Sequence, residues 1–280
     1  MRILSPATTS PAERQARVSV CALAVMAKAP RPGAVKTRLS PPLTSDQAAA
    51  LNVCFLRDTI RNLAGIAQDH GRAAGLISYT PVGEEYLFDG LLPEGFALIA
   101  QRGEGFGERL LSAAEDILAS GYGSVCLIDS ESPTVPATAF TQAVEELERA
   151  GDRIVIGPSA DGGYYLIGMK RAHAEVFEQI NWSTGTVAAE TRERARTAGI
   201  ELVELPMWYD VDDAATLAIL RAELLAAMPP GFATAPGYPA PHTRNFLLNL
   251  DVSLNAGATV TPADPIVVTL QDEVSPQGVK

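Results

Sequence analysis

The stretch VSVCALAVMAKAPRPGAVKTRL, residues 18–39, decides the fold. Its first half, Val18 to Met26, is an apolar run broken only by Ser19, as expected of a strand covered on both faces in a parallel sheet. Its second half is a Pro/Gly-rich loop carrying Lys28, Arg31, Lys36 and Arg38. From Arg14 through Ser45 there are six basic residues and no acidic one, in a chain whose net charge is −11. A local cationic loop in an acidic protein suits polyphosphate recognition. Gly33 lets backbone N–H groups approach phosphate oxygens, and Lys and Arg neutralise their charge. The plainer alternative is a solvated loop with ordinary surface basics. No GxxxxGK[ST] phosphate loop occurs.

Upstream, Arg2, Arg14 and Arg17 precede the apolar run, and Ala27-Lys28-Ala29 imitates a signal-peptide cleavage site. Seventeen residues are long for such a leader's basic region, and cleavage would fall inside the loop motif. The expectation is therefore a flexible leader over residues 1–17, followed by a first strand.

Downstream, apolar runs at 73–79, 96–100, 123–128, 153–157, 163–169 and 200–205 read as further strands. Helical spacing is found over 45–67, 109–119, 137–150, 186–198 and 214–228. Strands alternating with helices imply an α/β fold, a mostly parallel central sheet with helices on both faces. Residues 18–228 are expected to form this unit. After Met228, five prolines between Pro229 and Pro241 break regular structure. Residues 229–280 read as a Pro-rich C-terminal appendage with short strands at 246–250 and 265–270. It wraps the core or pairs with a second copy as a homodimer, and the sequence leaves both open.

Composition narrows the class. In 280 residues, 47% are hydrophobic and 20% charged, which excludes wholesale disorder. The negative balance makes a nucleic-acid backbone a poor partner, and no apolar run reaches the ~18 residues of a membrane span. Three scattered cysteines without a CxxC pair suit a reduced, cytoplasmic protein, and three scattered histidines offer no zinc spacing.

In open parallel sheets, ligands bind beyond the carboxyl ends of the strands, so the loops that follow them carry the chemistry. After the third strand, Gln101-Arg-Gly103-Glu-Gly105-Phe-Gly107-Glu-Arg109 misses the dinucleotide GxGxxG. A loop entering a helix explains it as well as nucleoside contact does. After Ile128, Asp129-Ser130-Glu131-Ser132-Pro133 presents two acids to a hard cation such as Mg²⁺, or starts a helix. Asp161-Gly162-Gly163 is a turn or a polar anchor with close backbone approach to substrate. Trp182-Ser183-Thr184 is another loop-to-helix start. In Trp208-Tyr-Asp210-Val-Asp212-Asp213, one acid is expected to cap the helix that follows. G-x-S-x-G is absent and none of the histidines lies in these stretches, which argues against a Ser-His-Asp hydrolase.

AKAPRPGAVKTRL, DSESPT, ADGGYYLIG and WYDVD occur in that order. Over residues 18–228 this resembles the bacterial transferases of the GT-A, nucleotide-diphospho-sugar-transferase superfamily, a Rossmann-like fold. The first motif is also similar to that of 2-phospholactate guanylyltransferases. The resemblance implies that Lys28, Lys36 and Arg38 act on phosphate oxygens as catalytic cations. It assigns nucleotide binding to Ala27, Gly33, Thr37, Gln101, Gly103, Gly107 and Arg109. It assigns a metal, Mg²⁺ or Mn²⁺, to Asp129, Glu131 and Asp212, and the acceptor to Asp161, Gly162, Gly163, Trp182, Ser183 and Thr184. The partners implied are a nucleotide or nucleotide-sugar and a small-molecule acceptor. One departure stands out: Gly-Ser-Asp-Ser-Pro is the pattern expected, and this chain has Asp129 and Glu131 for its Gly and Asp. Either acid then holds the metal, or ligand binding survives without catalysis.

The expectation is a Mg²⁺-dependent transferase with a nucleotide donor. Nucleotidyl transfer is slightly favoured because a dense basic loop suits a triphosphate; glycosyl transfer from a sugar nucleotide and a non-catalytic nucleotide binder are the alternatives.

Overall fold

The structure, a computed structural model, describes residues 2–255. Seven strands form one sheet: β1 (Cys21–Lys28), β2 (Ala73–Thr80), β3 (Ala97–Ala100), β4 (Ser124–Ile128), β5 (Arg153–Pro158), β6 (Tyr164–Met169) and β7 (Glu201–Glu204). Their order is β3-β2-β1-β4-β6-β5-β7. All pairings are parallel except those of β6, which runs antiparallel to both β4 and β5. Only a short turn joins β5 to β6. A connection that short permits a hairpin but not a crossover, so β6 must reverse.

The period-2 alternation of the central strands builds two cores. Cys21, Leu23 and Val25 of β1 face one side and Ala22 and Ala24 the other. The first side is covered by α2 (Ser45–His70), α4 (Ala137–Glu148), α6 (Ala214–Ala226) and α7 (Pro241–Asn255), which contribute Leu51, Phe55, Phe140, Leu220 and Leu247. The second is covered by α3 (Phe106–Ala119) and α5 (Val187–Thr197), through Leu110, Ile117 and Ala195. Long apolar helices are held at fixed ends. Thr44 and Gln47 form a capping box at the start of α2, and Gly71, at φ 68°, stops it.

Two sequence expectations are corrected at the termini. Residues 2–17 are not a loose leader: Ile3 bridges to Leu98 at the edge of β3, and Leu4 is buried. α1 (Pro11–Arg17) follows, started by a capping box between Ser10 and Glu13, with Pro at its first position. Arg14 and Arg17 donate to the carbonyls of Ala119 and Ser120 at the end of α3. The segment after Met228 likewise packs on the main domain. Phe232 rings contact Trp208 and Tyr209 at 6.4 Å, and the Tyr238 N–H donates to the Thr134 carbonyl. The segment 246–250, expected as a strand, lies within α7, which lies against α2 and α6. Buried Asp58 of α2 accepts the backbone N–H groups of His242 and Thr243, anchoring the start of α7 from outside. The expected strand at 265–270 lies outside the described residues. Among the described residues no helix is long and apolar enough to cross a membrane.

Candidate active site

The loops after β1 and β4, the turn entering β6 and the segment after β7 meet at one rim of the sheet. Backbone bonds tie them together. Asp129 N–H donates to the Tyr165 carbonyl, Val211 N–H to the Glu131 carbonyl, and Trp208 N–H to the Pro158 carbonyl. The last segment then enters α6 through Asp213, whose carboxylate accepts the N–H groups of Ala215 and Thr216. Asp213 is thus the capping acid, and Asp210 and Asp212, two apart in extended chain, are left to face the cleft.

Lys36 is the centre of this rim. Its backbone is left-handed, at φ 49° and ψ 37°, a conformation that costs a non-glycine residue ~1–2 kcal/mol. The turn sends its side chain inward, to 1% exposure, where Nζ lies 2.8 Å from the Glu131 carboxylate and 3.4 Å from that of Asp212. Nζ also donates to the Val211 carbonyl at 2.8 Å. Arg38, two residues on, stays exposed and reaches Asp212 at 3.0 Å and Asp213 at 3.8 Å.

One carboxylate oxygen each from Glu131, Asp210 and Asp212 lie within 4.8 Å of one another. Burial pushes the Glu131 carboxyl above its usual range, with Lys36 acting against it. Burial also works against the charged form of Asp212, but Lys36, the neighbouring Glu131 carboxyl and then Arg38 outweigh it and hold that group low. Burial raises Asp210, and nearby Asp161 adds to the effect while Ser159 Oγ, donating at 2.8 Å, opposes it.

Asp129 has a different place. Its oxygens accept the Ser132 hydroxyl at 2.6 Å and the Glu131 N–H at 3.3 Å, and burial pushes it up to about 8. The carboxylate that converges with Glu131 and Asp212 is that of Asp210 rather than Asp129. Strict alternation with Asp212 was the available signal for it.

The acids border a cleft of about 430 Å³, which also takes in Arg38, Asp161, Gly163, Trp182, Ser183 and Thr184. The Asp161–Gly163 turn and the 182–187 loop form one wall. Asp161 accepts the Gly163 N–H at 2.8 Å, and Ala188 N–H donates to the Gly162 carbonyl. Gly162, at φ 91°, sits so close to Gly185 that a Cβ would lie 2.0 Å from its carbonyl oxygen. The Trp182 indole of that loop lies on Gly107 of α3, where a Cβ would meet Nε1 at 2.5 Å. Phe106 meets the same indole edge-on at 5.3 Å.

Other residues named from the sequence are not brought to this cleft. Lys28, Gly33 and Thr37 are exposed, Ala27 is buried in β1, and none of them lines it. Gln101 donates from its amide to the Ser78 carbonyl, and Arg109 to that of Glu104. Gly103, at φ 104°, turns the loop so that Glu108 caps α3. Gly107 supports Trp182. The polar groups of the 101–109 loop are thus largely spent within the protein.

Residues 63–184 match the family described as uncharacterized protein conserved in bacteria (DUF2064). No curated protein matches the chain. A provisionally assigned nucleotide-diphospho-sugar transferase from Desulfovibrio desulfuricans G20 superposes with a TM-score of 0.70 at 30% identity, covering 84% of this chain and 97% of that one. A CMP:2-keto-3-deoxy-manno-octonic acid synthetase complexed with CTP is similar at 12% identity and TM-score 0.47, covering 75% and 100%. So is the 4-diphosphocytidyl-2C-methyl-D-erythritol synthase of Anaerococcus prevotii DSM 20548, at 10% and 0.45, covering 77% and 99%. By its likeness to the Desulfovibrio protein over nearly that protein's whole length, this chain belongs to the nucleotide-diphospho-sugar transferase family, a family of transferase enzymes.

Proposed function

We propose that the chain is a divalent-cation-dependent transferase that takes a sugar nucleotide as donor and passes its glycosyl group to a small-molecule acceptor. The observation that carries this reading is the trio of carboxylates, Glu131, Asp210 and Asp212, converging at a cleft bordered by Arg38. All three donors are carboxylate oxygens, the set that Mg²⁺ or Mn²⁺ accepts. These three residues would hold the cation, which supplies positive charge to the phosphates of the donor.

The charge available favours a diphosphate over a triphosphate. Of the six basic residues from Arg14 through Ser45, Lys36 is consumed by Glu131 and Asp212, and Arg31 pairs with Glu84 at 2.7 Å. Arg38 alone is left among the lining residues to meet a phosphate. In the proposed transfer, a bond forms between the acceptor oxygen and the anomeric carbon. The bond from that carbon to the β-phosphate oxygen breaks, nucleoside diphosphate leaves, and the acceptor's proton passes to a carboxylate of the cleft. Positioning of donor and acceptor in the cleft supplies much of the rate.

Nucleotidyl transfer is the second reading, favoured by the Lys36-Thr37-Arg38-Leu39 motif. Incubation with sugar nucleotides, or with the four nucleoside triphosphates, and a panel of hydroxyl acceptors separates the two. Nucleoside diphosphate released without pyrophosphate is the expected result. Pyrophosphate from a triphosphate would reverse the order.

A further inference from the structure

Beyond the acid trio, the cleft has two unlike features that bear on the acceptor. Its apolar wall is formed by Met26, Phe106, Leu110, Leu127, Trp182 and Val187. Trp182 is fixed there, resting on Gly107 and braced by Phe106, so its ring is held ready for a ligand rather than free to rotate away. The same cleft carries the carboxyl groups of Glu131, Asp161, Asp210 and Asp212 against one lining base, Arg38, which already leans on Asp212 and Asp213, while buried Lys36 serves Glu131 and Asp212.

A cation held by Glu131, Asp210 and Asp212 would offset the charge at that end. Asp161 lies outside the trio that would hold the cation. It stands on the acceptor wall, exposed, with Oδ1 on the Gly163 N–H, and among the described residues no Lys or Arg pairs with it. A second anion entering beside it would meet a carboxylate that no Lys or Arg pairs with, and a site so built rejects acids as much as it attracts other ligands.

Building on the proposed donor reading, we infer that the acceptor is a hydroxyl compound without negative charge, neutral or cationic, whose apolar ring or chain packs on Trp182 and Phe106. Asp161 is the residue that selects against phosphorylated and carboxylic acceptors, and Trp182 supplies the affinity common to all.

Three small hydroxyl compounds of nearly equal shape test it: phenylethanolamine, phenylethanediol and mandelate, which carry positive, zero and negative charge. Their dissociation constants are read by ligand-observed NMR on the full chain with Mg²⁺ present. Phenylethanolamine and phenylethanediol are expected to bind about fivefold or more tightly than mandelate, the scale of one partly exposed charge contact. Asp161→Asn narrows the gap between phenylethanolamine and mandelate, Asp161→Glu keeps it, and Trp182→Ala weakens all three alike. Equal binding of mandelate, a ranking untouched by Asp161→Asn, or binding of none of the three overturns the inference. The nucleoside diphosphates of the four common bases are titrated in parallel. If they fail to bind while the ranking holds, the donor reading falls and the charge selection by Asp161 stands.

Discussion

The Lys36 ammonium lies 2.8 Å from the Glu131 carboxylate and 3.4 Å from that of Asp212, with the Lys36 side chain 1% exposed. This lysine is the internal counter-ion of the acid cluster. Lys36→Met keeps its length and removes its charge, leaving the carboxylates to repel one another. The two acids are about one-third exposed, which screens them, so the expected loss is about 2–3 kcal/mol, less than for a fully buried pair. Urea unfolding with and without MgCl₂ checks this. The deficit shrinks when Mg²⁺ is added, because the cation takes over part of the neutralisation. A variant as stable as wild type without metal would show that the pair contributes nothing.

The carboxylates divide by geometry into three that converge and one that does not. Asp210→Asn, Asp212→Asn and Glu131→Gln are each expected to weaken Mn²⁺ binding by about tenfold or more, since each removes an anionic oxygen donor. Asp129→Asn changes it by only a few-fold, because its oxygens are already occupied by Ser132 and the Glu131 backbone. Electron paramagnetic resonance of free Mn²⁺ gives the affinities directly. Loss of binding in Asp129→Asn with binding kept in Asp210→Asn would exchange their places.

Much of this architecture was legible in the sequence, and what was not has physical causes. Strands buried on both faces read as short apolar runs, so all seven strands stand within a few residues of the segments marked for them. The reversal of β6 was also written there, in the five residues between β5 and β6. α1 was hidden only by its position, since Ser10-Pro11-Ala12-Glu13 is an ordinary helix start. α7 is another matter: its anchor is Asp58, a remote residue that no local pattern reveals. The same holds for the site. Asp210 could be read from its alternation with Asp212, and Lys36 from its motif. The seating of Trp182 on Gly107 joins two loops distant in sequence, and Gly107 consequently looked like part of a nucleotide loop.

Asp58 gives the test of the C-terminal packing. It is fully buried and accepts N–H groups from His242 at 3.0 Å and Thr243 at 2.7 Å. Asp58→Ala leaves both donors without a partner and is expected to lower stability by about 2–4 kcal/mol, with Asp58→Asn milder. Truncation after Ala240 removes α7 and with it the burial of Leu247 against the core. Equilibrium urea curves for the four proteins should therefore fall in the order wild type, Asp58→Asn, Asp58→Ala, with the truncation at or below the last. A truncated chain as stable as the whole would make α7 an ornament.

Thiol chemistry reports on the core independently. Cys21 and Cys126 are buried on neighbouring strands, with sulfur atoms 3.9 Å apart. Cys54 is partly exposed, but burial, helped by Asp58 and opposed by Arg57, pushes its thiol up to about 11. A raised pKa means less thiolate below it, so at pH 8 only about one thiol in a thousand is ionised at Cys54. Ellman's reagent is expected to react with the native protein over hours at pH 8, faster as pH rises toward 11, and with all three cysteines at once in urea. Rapid labelling of one thiol at pH 8 would show Cys54 to be ionised and open.

Gly107→Ala isolates the support of Trp182 from everything else in the cleft. The added methyl would sit 2.5 Å from Nε1 and 2.7 Å from Cε2 of the indole, too close to be relieved without moving it. Overpacking of this kind costs about 1–3 kcal/mol unless the neighbour yields, and a ring on a loop yields more readily than a helix. The indole therefore swings outward into water. Its fluorescence should shift to longer wavelength, while Trp208, buried at 2% exposure, supplies a constant background. Acceptor affinity falls as it does in Trp182→Ala, and Mn²⁺ affinity stays at the wild-type value, because the acid trio is untouched. An unshifted emission spectrum with unchanged acceptor binding would mean that the helix, not the ring, makes room.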